Sequence, residues 1–306
     1  MSKIAFLYPG QGAQKVGMGL DFYKQFNTAR EIYEKAGAWL GMDVKELCFE
    51  ENDRLNLTQY TQAAMVTTSM AMEKVVEEQG LHPDMTAGLS LGEYCAIATT
   101  GAMSVQDAIV TVRKRGILME QAVPAGQGGM AAVLGMDAEA IERVVDPIEG
   151  VSIANYNCPG QIVITGMRAA LDTAMESLKA AGARRVVELV VSGPFHSMML
   201  KEAGDQLAGE LEHIALGALE IPYVTNVTAE LVTDNGPIKE LLAKQIYSSV
   251  RWQQSVERMI AEGVDTFVEI GPGRTLTGFL KKINKEVAAY NIETVEDMDT
   301  VLKQLL

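Results

Sequence analysis

The sequence predicts an α/β protein with an inserted second unit, and two observations carry that prediction. Residues 1–125 alternate short apolar runs with amphipathic helical stretches, and residues 197–306 return to the same alternation. Between them, residues 126–196 read strand, helix, strand, strand, helix, strand. The first pattern points to helices packed on a mostly parallel sheet. The second is a complete supersecondary unit within about 70 residues. A chain of 306 residues has room for both.

The elements follow in order. IAFLY, residues 4–8, reads as a buried strand that ends in the loop PGQGAQ. Helices are expected over 20–39 and 60–79, the latter stopped by Gly80. DMTAG leads as a short strand into Ser90, and the small-residue stretch LGEYCAIATTG leads away as a helix. A further helix over 104–121 opens at Ser104 with Asp107 three residues on, close to a capping box. In the middle stretch, GGMAAVLGM, VSIANY, QIVITG and RRVVELVVS read as strands. DAEAIERVVDPI and AALDTAMESLKAAG read as helices. That βαββαβ order is the ferredoxin-like arrangement. IPYVTN and TFVEI then read as strands, with GPG and a helix after the second. The expected division is therefore 1–125 plus 197–306 as one body, and 126–196 as the insertion.

Composition excludes several functions. Hydrophobic residues are 48% and charged residues 22%, the balance of a globular protein with a sizeable core. Net charge is −14, which disfavours nucleic acid as a partner, because phosphate binding needs a basic surface. No apolar run approaches the roughly 20 residues of a membrane span. The N-terminus lacks a signal-peptide cleavage pattern. Cys48, Cys95 and Cys158 have neither metal-ligand spacing nor paired arithmetic, which fits a reducing cytoplasm and no metal site.

Three places carry candidate chemistry. GLSLGEY, residues 88–94, holds Gly-x-Ser-x-Gly around Ser90. A serine on a sharp strand-to-helix turn needs small residues on both sides, and the following helix N-terminus can steady an oxyanion. A serine also needs a base, and the chain has three histidines. His82 precedes a proline in a polar connection, and His213 sits late in an amphipathic helix. His196, in SGPFHS between a strand and a helix, is the candidate by elimination, with no acidic third member in view. The GQGAQ loop fails the dinucleotide spacing, since Lys15 stands where a third glycine belongs. It can instead offer N–H groups to an oxyanion. In the 104–121 helix, Arg113 and Arg115 flank the apolar stripe, and either suits a carboxylate.

Taken in order, GQGAQ, GLSLGEY, the RGILM helix, NYNCPGQIVITG, SGPFHS and EIGPGRTLTGFLKKI resemble malonyl-CoA:acyl carrier protein transacylases along nearly the whole chain. The resemblance implies an α/β-hydrolase-like body with an inserted ferredoxin-like subdomain. It implies Ser90 as acyl-accepting nucleophile and His196 as its base, with the N–H groups of Gln11 and Leu91 as oxyanion hole. It assigns Arg115 to the free carboxylate of the malonyl group, and Gln62 and Asn155 to the site lining. Phe195 matches the malonyl-selective form, where a ring crowds an α-methyl branch. The resemblance also implies a backbone carbonyl to orient the histidine, placed here at Arg251 in SSVRW. Two departures stand out: Leu89 replaces a common histidine before the nucleophile, and Arg251 stands where some members have glutamine.

The implied reaction is ping-pong malonyl transfer from CoA to the phosphopantetheine thiol of holo acyl carrier protein, for fatty acid or polyketide synthesis. It needs no bound cofactor beyond the substrate malonyl-CoA, and the family suggests a monomer. Arg184, Arg185, Lys281, Lys282 and Lys285 are candidate cations for the anionic partners. The rivals are a serine hydrolase or thioesterase on the same Ser–His pair, and a silent carrier-protein-binding module.

Overall fold

A computed structural model describes residues 2–124, 126–191 and 193–306. Ten strands lie among them: β1 (Ile4–Tyr8), β2 (Met85–Gly88), β3 (Gly128–Leu134), β4 (Val151–Cys158), β5 (Gln161–Met167), β6 (Arg185–Glu188), β7 (Tyr223–Val224), β8 (Leu231–Val232), β9 (Thr266–Ile270) and β10 (Ala288–Ile292). They form two sheets. The larger has the order β10-β9-β1-β2-β7-β8 and is parallel except for β8, which runs against β7. The smaller has the order β4-β5-β3-β6, and every neighbouring pair is antiparallel.

The apolar runs explain the larger sheet. β2 and β9 are buried along their length, and so is β1 after Ile4. Strands covered by helices on both faces read as continuous apolar runs, not as alternations. Tyr8 pairs with Gly88 at the carboxyl ends of β1 and β2. The loops that begin at Pro9 and Leu89 therefore leave the sheet side by side, where open α/β sheets place their sites.

Two helices beside that edge carry further site residues. Thr58–Glu78 is buried over most of its length and is rich in small residues. It packs on Val105–Ala122, whose Ser104 cap accepts from the Asp107 N–H. Gly116 makes the close crossing possible: a Cβ there would lie 2.8 Å from Gln59 Cα and 3.0 Å from Thr58 O. Arg115, beside that glycine, thereby reaches Gln62 on the facing helix.

The smaller sheet has its own apolar cluster, in which Val133, Ile141, Ile164, Leu171 and Leu178 meet. Strand β4 is tied to the larger body by Val250, whose N–H donates to Ala154 O at 2.8 Å and whose carbonyl accepts from Tyr156 N at 2.9 Å. A cleft opens between the two sheets.

Some expected elements change. The 20–39 helix breaks into Leu20–Gln25 and Asn27–Leu40, because Phe26 is extended between them. The RRVVELVVS strand stops at Glu188. Leu189 N still reaches Met130 O, but Val191 N turns back to Leu189 O, and Val190 is left in solvent. Ser192 at its end, and Ala125 at the expected boundary, lie outside the described residues. Strand β10 and the helix Val295–Leu305, opened by a Thr294–Asp297 capping box, complete the fold. Among the described residues no helix is long and apolar enough to cross a membrane.

Candidate active site

The cleft holds about 580 Å³ and is lined by Gln11, Gln62, Ser90, Leu91, Asn155, Phe195 and His196, among others. Ser90 stands at its floor, directly after β2. The turn is as tight as the glycines require: a Cβ on Gly88 would lie 1.9 Å from Gly92 O, and one on Gly92 would lie 2.3 Å from Tyr8 O. Ser90 itself has φ 55°, in the left-handed region that only glycine enters freely. Its main chain is held on both sides. Ser90 N donates to Asn226 Oδ1 at 2.7 Å, and Ser90 O accepts from Gln245 Nε2 at 2.9 Å.

His196 closes on the serine from the loop after β6. Its Nε2 lies 2.8 Å from Ser90 Oγ, and its Nδ1 lies 2.9 Å from Gln245 O. A carbonyl only accepts, so Nδ1 carries the proton and Nε2 presents its lone pair to the serine hydroxyl. The ring is buried, and burial pulls its pKa down to about 4, aided by the nearby Arg115 charge. At neutral pH the imidazole is uncharged and able to take a proton.

Arg115 is fully buried beside them. Its Nη1 donates to Gln62 Oε1 at 2.7 Å, and its Nη2 donates to Ser90 Oγ at 3.0 Å and to Gln245 Oε1 at 2.9 Å. Its Nε has no hydrogen-bond partner among the described residues, nor does a carboxylate pair with the guanidinium. Burial draws its pKa down from the usual arginine range, though such a group stays charged near neutrality. A buried cation with no paired anion, touching the serine hydroxyl, is a place for an anionic substrate group. Arg113 lies elsewhere, stacked at 4.2 Å over the Tyr60 ring.

The structure thus brings Ser90, His196, Arg115 and Gln62 into one hydrogen-bonded cluster, with Gln11, Leu91, Asn155 and Phe195 on the cleft wall. The N–H groups of Gln11 and Leu91 donate no hydrogen bond among the described residues. Arg251 is the exception. Its carbonyl accepts from Ser255 N at 2.9 Å and Ser255 Oγ at 2.8 Å, at the start of the helix Trp252–Ala261. The carbonyl that meets the histidine belongs to Gln245, six residues earlier, and this corrects the sequence assignment.

Sequence reasoning missed Gln245, Asn226 and Glu93. Signals for two of them were present. Gln245 follows Leu241 by four residues and Leu242 by three, so a polar side chain sits on an apolar helical stripe. Glu93 is the one charge in LGEYCAIATTG, an otherwise uncharged small-residue helix. Asn226 had no comparable mark.

The chain is similar to known proteins over almost its whole length. Residues 5–301 match the acyl transferase domain family. The chain is 47% identical to the malonyl CoA-acyl carrier protein transacylase of Bacillus subtilis, over 99% of this chain and 98% of that one. It is similar to the crystal structure of the same-named protein from Clostridium perfringens, with TM-score 0.96, 42% identity and coverage of 99% and 97%. A malonyl-transacylase solved in complex with a type II PKS acyl-carrier protein superimposes with TM-score 0.96 at 38% identity, covering 99% and 100%. Matched almost end to end by proteins of that name, the chain belongs to the malonyl CoA-acyl carrier protein transacylase family.

Proposed function

We propose that this protein transfers a malonyl group from CoA to the phosphopantetheine thiol of a holo acyl carrier protein, through a malonyl ester on Ser90. The observation that carries the reading is Arg115, a buried guanidinium without a paired carboxylate, 3.0 Å from the hydroxyl that His196 addresses. A hydrolase of neutral esters has no use for such a group.

The first half-reaction begins when His196 Nε2 takes the Ser90 proton and Oγ attacks the thioester carbonyl. Gln11 and Leu91 N–H groups meet the oxyanion, each such donor being typically worth on the order of 10²–10³ in rate. The C–S bond breaks, and CoA leaves with the proton from His196. The carrier thiol then gives its proton to His196, attacks the ester carbon and expels Ser90, which recovers its proton. Gln245 O orients the imidazole and favours the imidazolium that forms in each half. Arg115 and Gln62 hold the malonyl carboxylate, Asn155 lines the acyl arm, and Phe195 crowds an α-branch.

The same reading divides the chain into an α/β-hydrolase-like body, 1–125 plus 197–306, and a ferredoxin-like subdomain, 126–196. The separate apolar cluster of the smaller sheet supports that division. Arg184, Arg185, Lys281 and Lys285 are exposed and enter no ion pair among the described residues, so they are free to meet the anionic carrier protein or CoA. We place the enzyme in a reducing cytoplasm, in keeping with three free, buried cysteines, and as a monomer.

The test is intact mass after mixing with malonyl-CoA alone, with Ser90→Ala beside it. A malonyl adduct on wild type, absent from the variant and discharged by holo carrier protein, is the expected result. Steady malonate production without an adduct would make the protein a thioesterase. No adduct and no turnover would make it a silent binding module.

A further inference from the structure

We infer that Glu93, which lines no part of the cleft, is the positioning residue that holds the Ser90 turn in its reactive shape through Gln245 and Asn226. Both main-chain groups of Ser90 end on side-chain amides: the N–H on Asn226 Oδ1 and the carbonyl on Gln245 Nε2. Both amide residues end on one carboxylate oxygen. Glu93 Oε2 accepts from Gln245 Nε2 at 2.6 Å and from the Asn226 main-chain N–H at 3.1 Å. Asn226 Nδ2 also donates to Gly88 O at 2.7 Å, fixing its amide between the two sides of the turn.

Gln245 extends the arrangement. Its side-chain oxygen takes Arg115 Nη2 and its main-chain oxygen takes His196 Nδ1. One buried carboxyl group therefore sits one residue behind Ser90, His196 and Arg115. Arg115 reaches Glu93 only through the Gln245 amide, so the guanidinium is not spent in a direct ion pair, and burial pushes the Glu93 carboxyl up to about 7. Glu93 is fully buried, and its second oxygen makes no hydrogen bond among the described residues. The single oxygen Oε2 does the holding. A strained turn persists only when its surroundings over-determine it, and here Glu93 supplies that constraint.

The test compares Glu93→Met and Glu93→Gln with wild type in the full chain. Methionine fills the volume and accepts nothing strong, whereas glutamine keeps an oxygen where Oε2 stands. Two readouts follow Ser90: its rate of labelling by a fluorophosphonate, and the single-turnover rate of malonyl ester formation at rising malonyl-CoA. Glu93→Met is expected to lower both limiting rates about 10²-fold, the scale of a 1 Å misplacement, while half-saturating malonyl-CoA moves less than about two-fold. Glu93→Gln is expected to return both to within about five-fold of wild type.

A folded Glu93→Met that reacts at the wild-type rate overturns the proposal, as does a Glu93→Gln equally slow. Should Glu93→Met not fold, Gln245→Met cuts the same clamp and leaves the main-chain carbonyl for His196; because it also frees Arg115 Nη2, its readout is labelling by the fluorophosphonate, which carries no carboxylate. An equal loss of labelling supports the proposal, and a wild-type rate ends it. The inference rests on the acyl-transfer reading for the role of Ser90. Wild type labelled by the fluorophosphonate but bearing no malonyl would sink that reading and leave the Glu93 comparison standing.

Discussion

Ser90 and His196 meet at 2.8 Å while both stand in the left-handed backbone region, at φ 55° and φ 58°. Neither is glycine, so each conformation carries strain on the order of 1–3 kcal/mol. That strain separates two ways of deleting the proposed nucleophile. Ser90→Ala loses the hydroxyl and keeps the strain, whereas Ser90→Gly loses both. Ser90→Gly is expected to be the more stable by about 1 kcal/mol in urea denaturation, although neither forms an adduct. Equal stability would mean that the turn is not strained.

The pH dependence follows from the same pair. His196 is pulled down to about 4 by burial first and by the Arg115 charge second. A lowered pKa leaves Nε2 unprotonated through the whole range above it, so fluorophosphonate labelling should hold its rate down to about pH 5 and fall near pH 4. Removing a positive neighbour makes the imidazolium easier to form. Arg115→Gln should therefore shift the acid limb to higher pH, and only partly toward the ordinary histidine value, since burial remains. A limb near pH 6.5 in wild type would show that the ring is solvated.

The helix crossing at Gly116 gives a stability prediction with opposing terms. Alanine in a helix interior gains about 1 kcal/mol over glycine. A Cβ here would meet Gln59 Cα at 2.8 Å and Thr58 O at 3.0 Å, both main-chain atoms that cannot step aside. Overpacking costs about 1–3 kcal/mol, so Gly116→Ala should come out neutral to destabilising by about 2 kcal/mol. It should also raise the half-saturating malonyl-CoA, because the helices carrying Arg115 and Gln62 are pushed apart. A variant stabilised by the full helix-propensity gain would refute this account of the crossing.

The basic surface is testable through the half-reactions. Lys281, Lys282 and Lys285 lie exposed at the end of the helix Thr275–Ile283 and just beyond it, and Lys282 Nζ donates to Gln161 Oε1 at 3.2 Å. Neutralising all three should weaken use of holo carrier protein several-fold at low salt and flatten its salt dependence. Malonyl ester formation from saturating malonyl-CoA should be unchanged. Indifference of the second half-reaction to these changes would remove the cluster from the docking surface.

How much of this was legible in sequence depends on where the information is local. IAFLY, TFVEI and the Ser104 cap announce themselves, because apolar runs and caps are set by near neighbours. Gly88 and Gly92 announce the Ser90 turn for the same reason. The orienting carbonyl could not be found that way: every residue offers a carbonyl, and only the fold decides that Gln245 and not Arg251 faces the ring. Asn226 is likewise invisible, being 136 residues from the N–H it accepts. The strand read over RRVVELVVS stops at Glu188 because, after Leu189 N reaches Met130 O, Val191 N turns back to Leu189 O, which no apolar pattern records.

The proposed carboxylate role of Arg115 is testable through the choice of acyl group. Periodicity left Arg113 and Arg115 equivalent, but only Arg115 reaches the serine, and Arg113 stacks on Tyr60. A charge-assisted hydrogen bond to a carboxylate contributes about 1.5–3 kcal/mol, or roughly ten- to hundred-fold in rate. Arg115→Ala should therefore slow Ser90 acylation by malonyl-CoA about ten- to hundred-fold. Acetyl-CoA has no carboxylate to lose, so its slow acylation should change less than about three-fold, and the variant's preference should narrow accordingly. The two substrates share CoA, thioester and nucleophile, and differ only in the group Arg115 would hold. Equal losses for both would mean that Arg115 steadies Ser90 Oγ and has no part in choosing malonyl.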